Sequence, residues 1–187
     1  MGAGWGVRAR QTCAVRVRRT FAFVDLSGFT AFTEREGDDQ ASQVLAAFRA
    51  CVRDVASTHG VRVAKWLGDG AMLVGVDGEA LVAAVVDLAA RVEASDSPLP
   101  VRIGVSGGDV IVFEGDDYIG GAVNLAARLC AVAAPGELLA TKDAAALAPE
   151  ECGAADVAPR PIQGISGPVP LTRLLPPTGA TLASEQQ

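Results

Sequence analysis

The chain carries little that advertises a familiar chemistry. It has one histidine, His59, and its four cysteines form no CxxC pair, which excludes a zinc site of the usual spacing. Cys13, Cys51, Cys130 and Cys152 are scattered through the chain and read as reduced thiols rather than a disulfide framework. Cys51 and Cys130 fall within helical apolar patterns, as small core residues do. No apolar run is long enough to span a bilayer, and no apolar h-region follows the basic start. Gly6 stands where a myristoylation signal needs Ser or Thr, so a cytoplasmic location is expected. Neither a GxxxxGK[ST] loop nor a GxGxxG after the first strand is present, so the usual phosphate-loop and dinucleotide folds are excluded. The net charge of −6 removes nucleic acid as the main partner, because a phosphate backbone calls for a basic surface.

What is present is enough for one domain: 187 residues, half of them hydrophobic and only 5% aromatic. The first twenty residues hold Arg8, Arg10, Arg16, Arg18 and Arg19 and no acid, which reads as a basic, poorly ordered arm over residues 1–17. The patterned domain covers 18–175, and 176–187 lacks a core pattern and reads as a flexible tail.

Within the domain, Arg18 to Val24 predicts a strand that stops at Asp25, and Ser27-Gly28 opens a short helix through Glu36. Asp38 or Asp39 is placed to cap a second helix, in which Val44, Leu45, Phe48, Cys51, Val52 and Val55 form one apolar face ending at Gly60. Val61 to Leu67 and Ala71 to Val76 flank Gly68-Asp69-Gly70 as a hairpin, and Glu79 to Ala94 is helical. Val101 to Val105 and Val110 to Phe113 predict a second hairpin turning across Ser106 to Asp109. Then come a helix from Gly121 to Ala133, a strand from Glu137 to Thr141, a short helix from Lys142 to Pro149 and a strand from Val169 to Leu175. This order predicts an α+β fold: a ferredoxin-like βαββαβ core with a mainly antiparallel sheet and helices on one face, extended by a C-terminal hairpin, helix and strand.

Two carboxylates end apolar runs, in Phe21-Ala-Phe-Val-Asp25-Leu-Ser-Gly-Phe-Thr30 and in Lys65-Trp-Leu-Gly-Asp69-Gly70. Acids so placed belong at the rim of a sheet, where an oxygen donor set suits hard divalent cations. Taken singly, Asp25 serves equally well as a helix N-cap and Asp69 as a turn residue. Together they suit cation-assisted phosphoryl chemistry.

With Asp117-Tyr-Ile-Gly-Gly-Ala-Val-Asn124-Leu-Ala-Ala-Arg128-Leu added to these two segments, the chain resembles the class III nucleotidyl cyclases from about Arg18 to Leu175. The resemblance implies that Asp25 and Asp69 bind two magnesium or manganese ions, with the main-chain carbonyl of Leu26 as a further ligand. It places Lys65 and Asp117 where the adenylyl members recognise the base, Asn124 on the ribose and Arg128 on charge developing at the phosphate. A carboxylate accepts from the adenine amino group and an ammonium donates to N1, whereas guanine presents the opposite pattern. Asp116 stands beside Asp117, and the seven-residue step to Asn124 selects Asp117. The resemblance further implies a homodimer with shared sites, ATP as substrate, and cyclic AMP and pyrophosphate as products.

One position departs from the pattern. Gln163 stands where many members carry a lysine for the terminal phosphates, and Arg160 and Arg173 are the basic residues that offer a substitute. That departure is the support for the alternative reading, a nucleotide-binding regulatory domain of weak or lost activity. A guanylyl cyclase would need other residues at 65 and 117. A polymerase-like palm domain lacks the Asn124 to Arg128 helix motif. The regulatory input is not written in the sequence.

Overall fold

A computed structural model describes residues 15–113, 117–165 and 167–177. Its elements are β1 (Val15–Leu26), α1 (Phe29–Glu36), α2 (Asp38–Thr58), β2 (Arg62–Leu67), β3 (Gly70–Gly75), α3 (Gly78–Ala94), β4 (Val101–Phe113), β5 (Asp117–Ile119), α4 (Gly121–Val132), β6 (Leu138–Thr141), α5 (Lys142–Ala145), β7 (Gly153–Val157) and β8 (Leu171–Leu175). One sheet runs β2-β3-β1-β4-β6-β8-β7, with β5 paired to β4. Its only parallel pairing among the described residues joins β4 to β6. The order β2-β3-β1-β4 is the expected ferredoxin-like core, and the fold is mixed α+β as anticipated.

β1 is apolar on both faces, and this organises the molecule. Ala22, Val24 and Leu26 join Leu73, Val105, Val52, Val55, Val85 and Leu88 in the larger core beneath α2 and α3. Phe21 faces the other way, with Val74, Val110, Val123 and Ala126, beneath α4. The helices of the ferredoxin-like core therefore share one face, while α4 of the extension covers the second. A third cluster, Leu129, Ala133, Leu139, Ile162 and Leu171, carries that packing toward β8.

The predicted turn at Ser106 to Asp109 is instead the middle of a thirteen-residue strand, β4. β1 pairs with it residue for residue, Thr20 opposite Gly107 and Arg18 opposite Asp109. The glycines serve packing rather than a turn: Gly104 and Gly108 lie against α4, and Gly107 lies against Thr20 of β1. A Cβ on Gly104 would sit 2.2 Å from the Cys130 amide nitrogen and 2.3 Å from the Ala126 carbonyl, and one on Gly108 would sit 3.2 Å from Ala122. Glycine within a strand marks such close backbone approach. The expected hairpin is therefore absent, and a different antiparallel pairing joins β4 to β5, with Phe113 opposite Asp117.

Smaller differences have local causes. Gly37 rather than Asp38 or Asp39 caps α2, and the two acids fall in its first turn, where they complement the helix dipole. α5 ends at Ala145, four residues before Pro149, with Thr141 Oγ1 accepting from the Ala144 amide. β7 was not anticipated because Gly-Ala-Ala-Asp-Val has weak strand propensity, and its pairing with β8 supplies what propensity does not. Of the basic arm expected over residues 1–17, only 15–17 are described, and they extend β1. Of the tail, only 176–177 are described.

Candidate active site

Strand register places the chemistry. Side chains alternate along β1, so Asp25 lies on the same face as Phe21, the face beneath α4. Its register partners are Gly70 on β3 and Arg102 on β4. The Arg102 guanidinium donates to Asp25 Oδ2 from Nε at 2.8 Å and from Nη2 at 2.5 Å. Asp25 Oδ1 is left facing Gly70, where an added Cβ would stand 3.1 Å from that oxygen and 2.8 Å from the Val24 carbonyl. The absence of a side chain at 70 keeps this side of the carboxylate open.

Asp69 occupies the β2–β3 turn. Burial pushes its carboxyl above the ordinary value of 3.8, and the nearby Asp25 charge pushes it further. The Leu26 amide donates to the Asp69 carbonyl at 3.4 Å, tying the end of β1 to the turn. Two acids with open oxygens, close enough that the Asp25 charge is felt at Asp69, fit a hard cation with an oxygen donor set. Among the described residues no third His, Cys, Asp or Glu joins them.

Lys65 lies on β2 opposite Met72, again on the α4 face. The β4–β5 hairpin brings Asp117 to it across 52 residues of chain, and Lys65 Nζ donates to Asp117 Oδ1. The adjacent Tyr118 packs edge-on against Phe21, with ring centroids 5.1 Å apart, and its hydroxyl accepts from Arg62 at 3.2 Å. These contacts hold the hairpin in place. Asp116 lies outside the described residues.

Asn124 and Arg128 are one turn apart on α4. Asn124 is exposed and Arg128 is half-buried. The Arg128 guanidinium packs against Gly164, where a Cβ would come within 2.4 Å of Nη1, and that nitrogen is buried with no hydrogen-bond partner. A guanidinium left so is costly unless something outside the chain completes it.

The model of the adenylate and guanylate cyclase catalytic domain matches residues 17–164. The chain belongs to this family. It is 39% identical over 161 residues to an uncharacterised protein of Mycobacterium tuberculosis, covering 86% of this chain and 40% of that protein. It is 33% identical over 117 residues to an adenylate cyclase of Streptomyces coelicolor, covering 62% of this chain and 30% of that one. The cyclase domain thus spans less than half the length of these curated relatives. Among solved structures it resembles the adenylyl cyclase CyaB from P. aeruginosa, with a TM-score of 0.75 at 25% identity, covering 87% of this chain and 95% of that chain. It has the fold of the guanylate cyclase domain of RhGC from Catenaria anguillulae in complex with GTP, with a TM-score of 0.78 at 17% identity, covering 88% of this chain and 100% of that chain.

One further residue of the cyclase domain was not singled out from sequence. Arg102 was missed because only the β1–β4 register reveals it opposite Asp25. Arg160, offered above as a substitute for the missing lysine, is committed elsewhere: Nη1 and Nη2 each donate at 2.7 Å to the buried Glu137 carboxylate, and Nη1 also donates to the Val132 carbonyl at 3.1 Å. Burial raises the Glu137 carboxyl, but the Arg160 hydrogen bonds outweigh it, and the group sits below its ordinary 4.5. Gln163 is exposed in the turn from Ile162 to Ile165, and Arg173 is exposed on β8. A cavity of about 770 Å³ lies on the other face, between α1, α2 and residues 95–98, and touches the set only through the side chain of Leu26.

Proposed function

We propose that this domain is an adenylyl cyclase that converts ATP to 3′,5′-cyclic AMP and pyrophosphate at sites shared between two copies of the chain. The observation that carries this reading is the convergence of Lys65 and Asp117, 52 residues apart, on the face that bears the two acids. Asp117 accepts from the adenine amino group and Lys65 donates to N1; guanine would oppose a donor to Lys65 at N1 and an acceptor to Asp117 at O6. Asn124 positions the ribose. Arg128, with its unpartnered Nη1, meets the charge that builds on the α-phosphate. Arg102 holds Asp25 by one oxygen and so orients the other.

In the reaction the ribose 3′-oxygen bonds to the α-phosphorus and the bond from that phosphorus to the β-bridging oxygen breaks. Pyrophosphate leaves, and the hydroxyl proton passes to water or a substrate phosphate. Two divalent cations, magnesium or manganese, held by Asp25, Asp69 and the Leu26 carbonyl, supply Lewis acidity at the attacking oxygen and the triphosphate. In this family the acids come from one subunit and the base, ribose and phosphate residues from the other. Each chain here carries both sets, so a two-fold homodimer has two equivalent sites and a monomer has none.

One observation favours a weaker enzyme or a regulatory domain. Gln163 brings no charge, and Arg160 is tied to Glu137. The deciding experiment supplies ATP or GTP with manganese or magnesium to purified protein and measures cyclic nucleotide. Cyclic AMP formation, abolished in Asp25→Ala and depressed in Lys65→Glu, is the expected result. A dimer that binds ATP and makes no cyclic product would establish the regulatory reading instead.

A further inference from the structure

The turn that carries Asp69 does not by itself fix where that carboxylate points. Leu67 pairs with Gly70 across two residues, Gly68 and Asp69. Gly68 has φ of 65°, and no non-glycine residue among those described has positive φ, so the turn is type II′ rather than I′. The two types differ in the orientation of the peptide joining Gly68 to Asp69, and passing from one to the other reverses the sign of φ at Asp69. Gly-Asp is compatible with both, since aspartate tolerates the left-handed region. The neighbouring Asp25 charge gives Asp69 a further reason to swing away.

The peptide is gripped from α2. Arg49 Nη2 donates to the Gly68 carbonyl at 2.8 Å. The same guanidinium lies over the Trp66 ring, 5.2 Å from its centroid, and its Nε is buried with no hydrogen-bond partner. The planar fork is thus placed by the indole face and the carbonyl, at the expense of one of its own donors. Arg53, one turn on, stacks on the same ring at 5.3 Å and makes no hydrogen bond to the turn. The two arginines share the ring and differ in the carbonyl.

We propose that Arg49 is a positioning residue: by holding the Gly68 carbonyl it locks the turn in its type II′ form and thereby aims the Asp69 carboxylate at the position shared with Asp25. The consequence for cation binding rests on the function proposed above; the effect on the turn does not.

The test uses the full chain in a Trp5→Phe background, which leaves Trp66 as the sole indole. Arg49→Ala, Arg49→Lys and Arg53→Ala are compared by two readouts. The first is the backbone amide coupling of Asp69 and hydrogen exchange at Gly70, by NMR. The second is manganese binding without nucleotide, followed by Trp66 emission. Arg49→Ala is expected to average the Asp69 coupling, speed exchange at Gly70 and weaken manganese binding about tenfold, the worth of one charged hydrogen bond. Arg49→Lys should recover part of this, and Arg53→Ala should stay within about twofold of the parent. An unchanged Asp69 coupling in Arg49→Ala overturns the proposal whatever the metal does. A loosened turn with unaltered manganese affinity overturns the aiming role. If the parent protein and an Asp25→Asn, Asp69→Asn double variant respond alike to manganese, the cation reading fails, and the coupling still decides the role of Arg49.

Discussion

The two ends of the face beneath α4 are finished to different degrees. At the acid end the backbone and one carboxylate are held from within the chain: Arg102 grips one oxygen of Asp25, the Leu26 amide ties the turn, and Arg49 holds the carbonyl before Asp69 while its own Nε stays unpartnered. At the α4 end Asn124 is exposed, and Arg128 has a buried nitrogen with no partner. A preorganised acid pair needs no second protein to take its shape. An unfinished guanidinium needs something to meet. This contrast is what a site divided between two chains requires, and each of the following experiments acts on one side of it.

The largest effect is expected on the acid side. Asp25→Ala should lower kcat by about 10³-fold or more, the rate equivalent of several kcal/mol, with the circular dichroism spectrum unchanged. Arg128→Ala should cost about 10²–10³-fold in kcat with little change in KM, as expected for a group acting on transition-state charge. Mixing the two inactive variants tests the division itself. Random reassociation gives mixed dimers with one intact site each, so activity should return to about a quarter of the parent. A mixture as dead as its components would show both residues serving one site within one chain.

Lys65→Glu should reduce kcat/KM for ATP by about 10- to 100-fold and narrow the preference over GTP, since it sets one carboxylate against another. Gln163→Lys, adding charge beside the unfinished end, should lower KM for ATP several-fold, about 1 kcal/mol of phosphate contact. A Gln163→Lys protein with unaltered KM would mean that the turn does not reach the phosphates.

The smallest effect concerns the strut behind α4. Glu137→Gln should lower stability by about 2 kcal/mol at neutral pH, since its partner Arg160 is only partly buried. The folded carboxyl of Glu137 lies below its ordinary 4.5, so its contribution is complete above that value and fades as pH falls through the folded value. Denaturant melts of parent and variant should therefore converge in acid, and parallel curves at all pH values would remove the ion pair as the cause.

Much of the candidate site was legible because its residues sit at the ends of patterned segments or at helical spacing. Asp25 stops an apolar run, Asp69 lies between two of them, and Asn124 and Arg128 are one helical turn apart. What stayed hidden depends on register or on distant packing. Arg102 matters because it falls opposite Asp25, a fact fixed by a one-to-one ladder beginning at Val15 and Val112. Ser106-Gly-Gly-Asp109 has the composition of a turn, and only its neighbours in the fold, Thr20 of β1 against Gly107 and Ala122 of α4 against Gly108, explain why glycines occupy a strand. The β2 hairpin was legible but its turn pair was not: Asp69-Gly70 is the familiar signal, while the residues at the corner are Gly68 and Asp69. Arg160 read as a spare cation until its carboxylate partner was in view.

Gly104 carries a consequence beyond packing. With the Ala126 carbonyl and Cys130 amide where its side chain would be, helix and strand touch backbone to backbone. Side-chain repacking can neither open nor close that gap, so sequence drift elsewhere in the core leaves the spacing between α4 and the sheet untouched. In the two-fold dimer proposed above, α4 of each chain would serve one site while β1 of the same chain would serve the other. In that dimer a rigid seam between them would make each chain a lever with a fixed arm, so that a tilt tightening one site would displace the other.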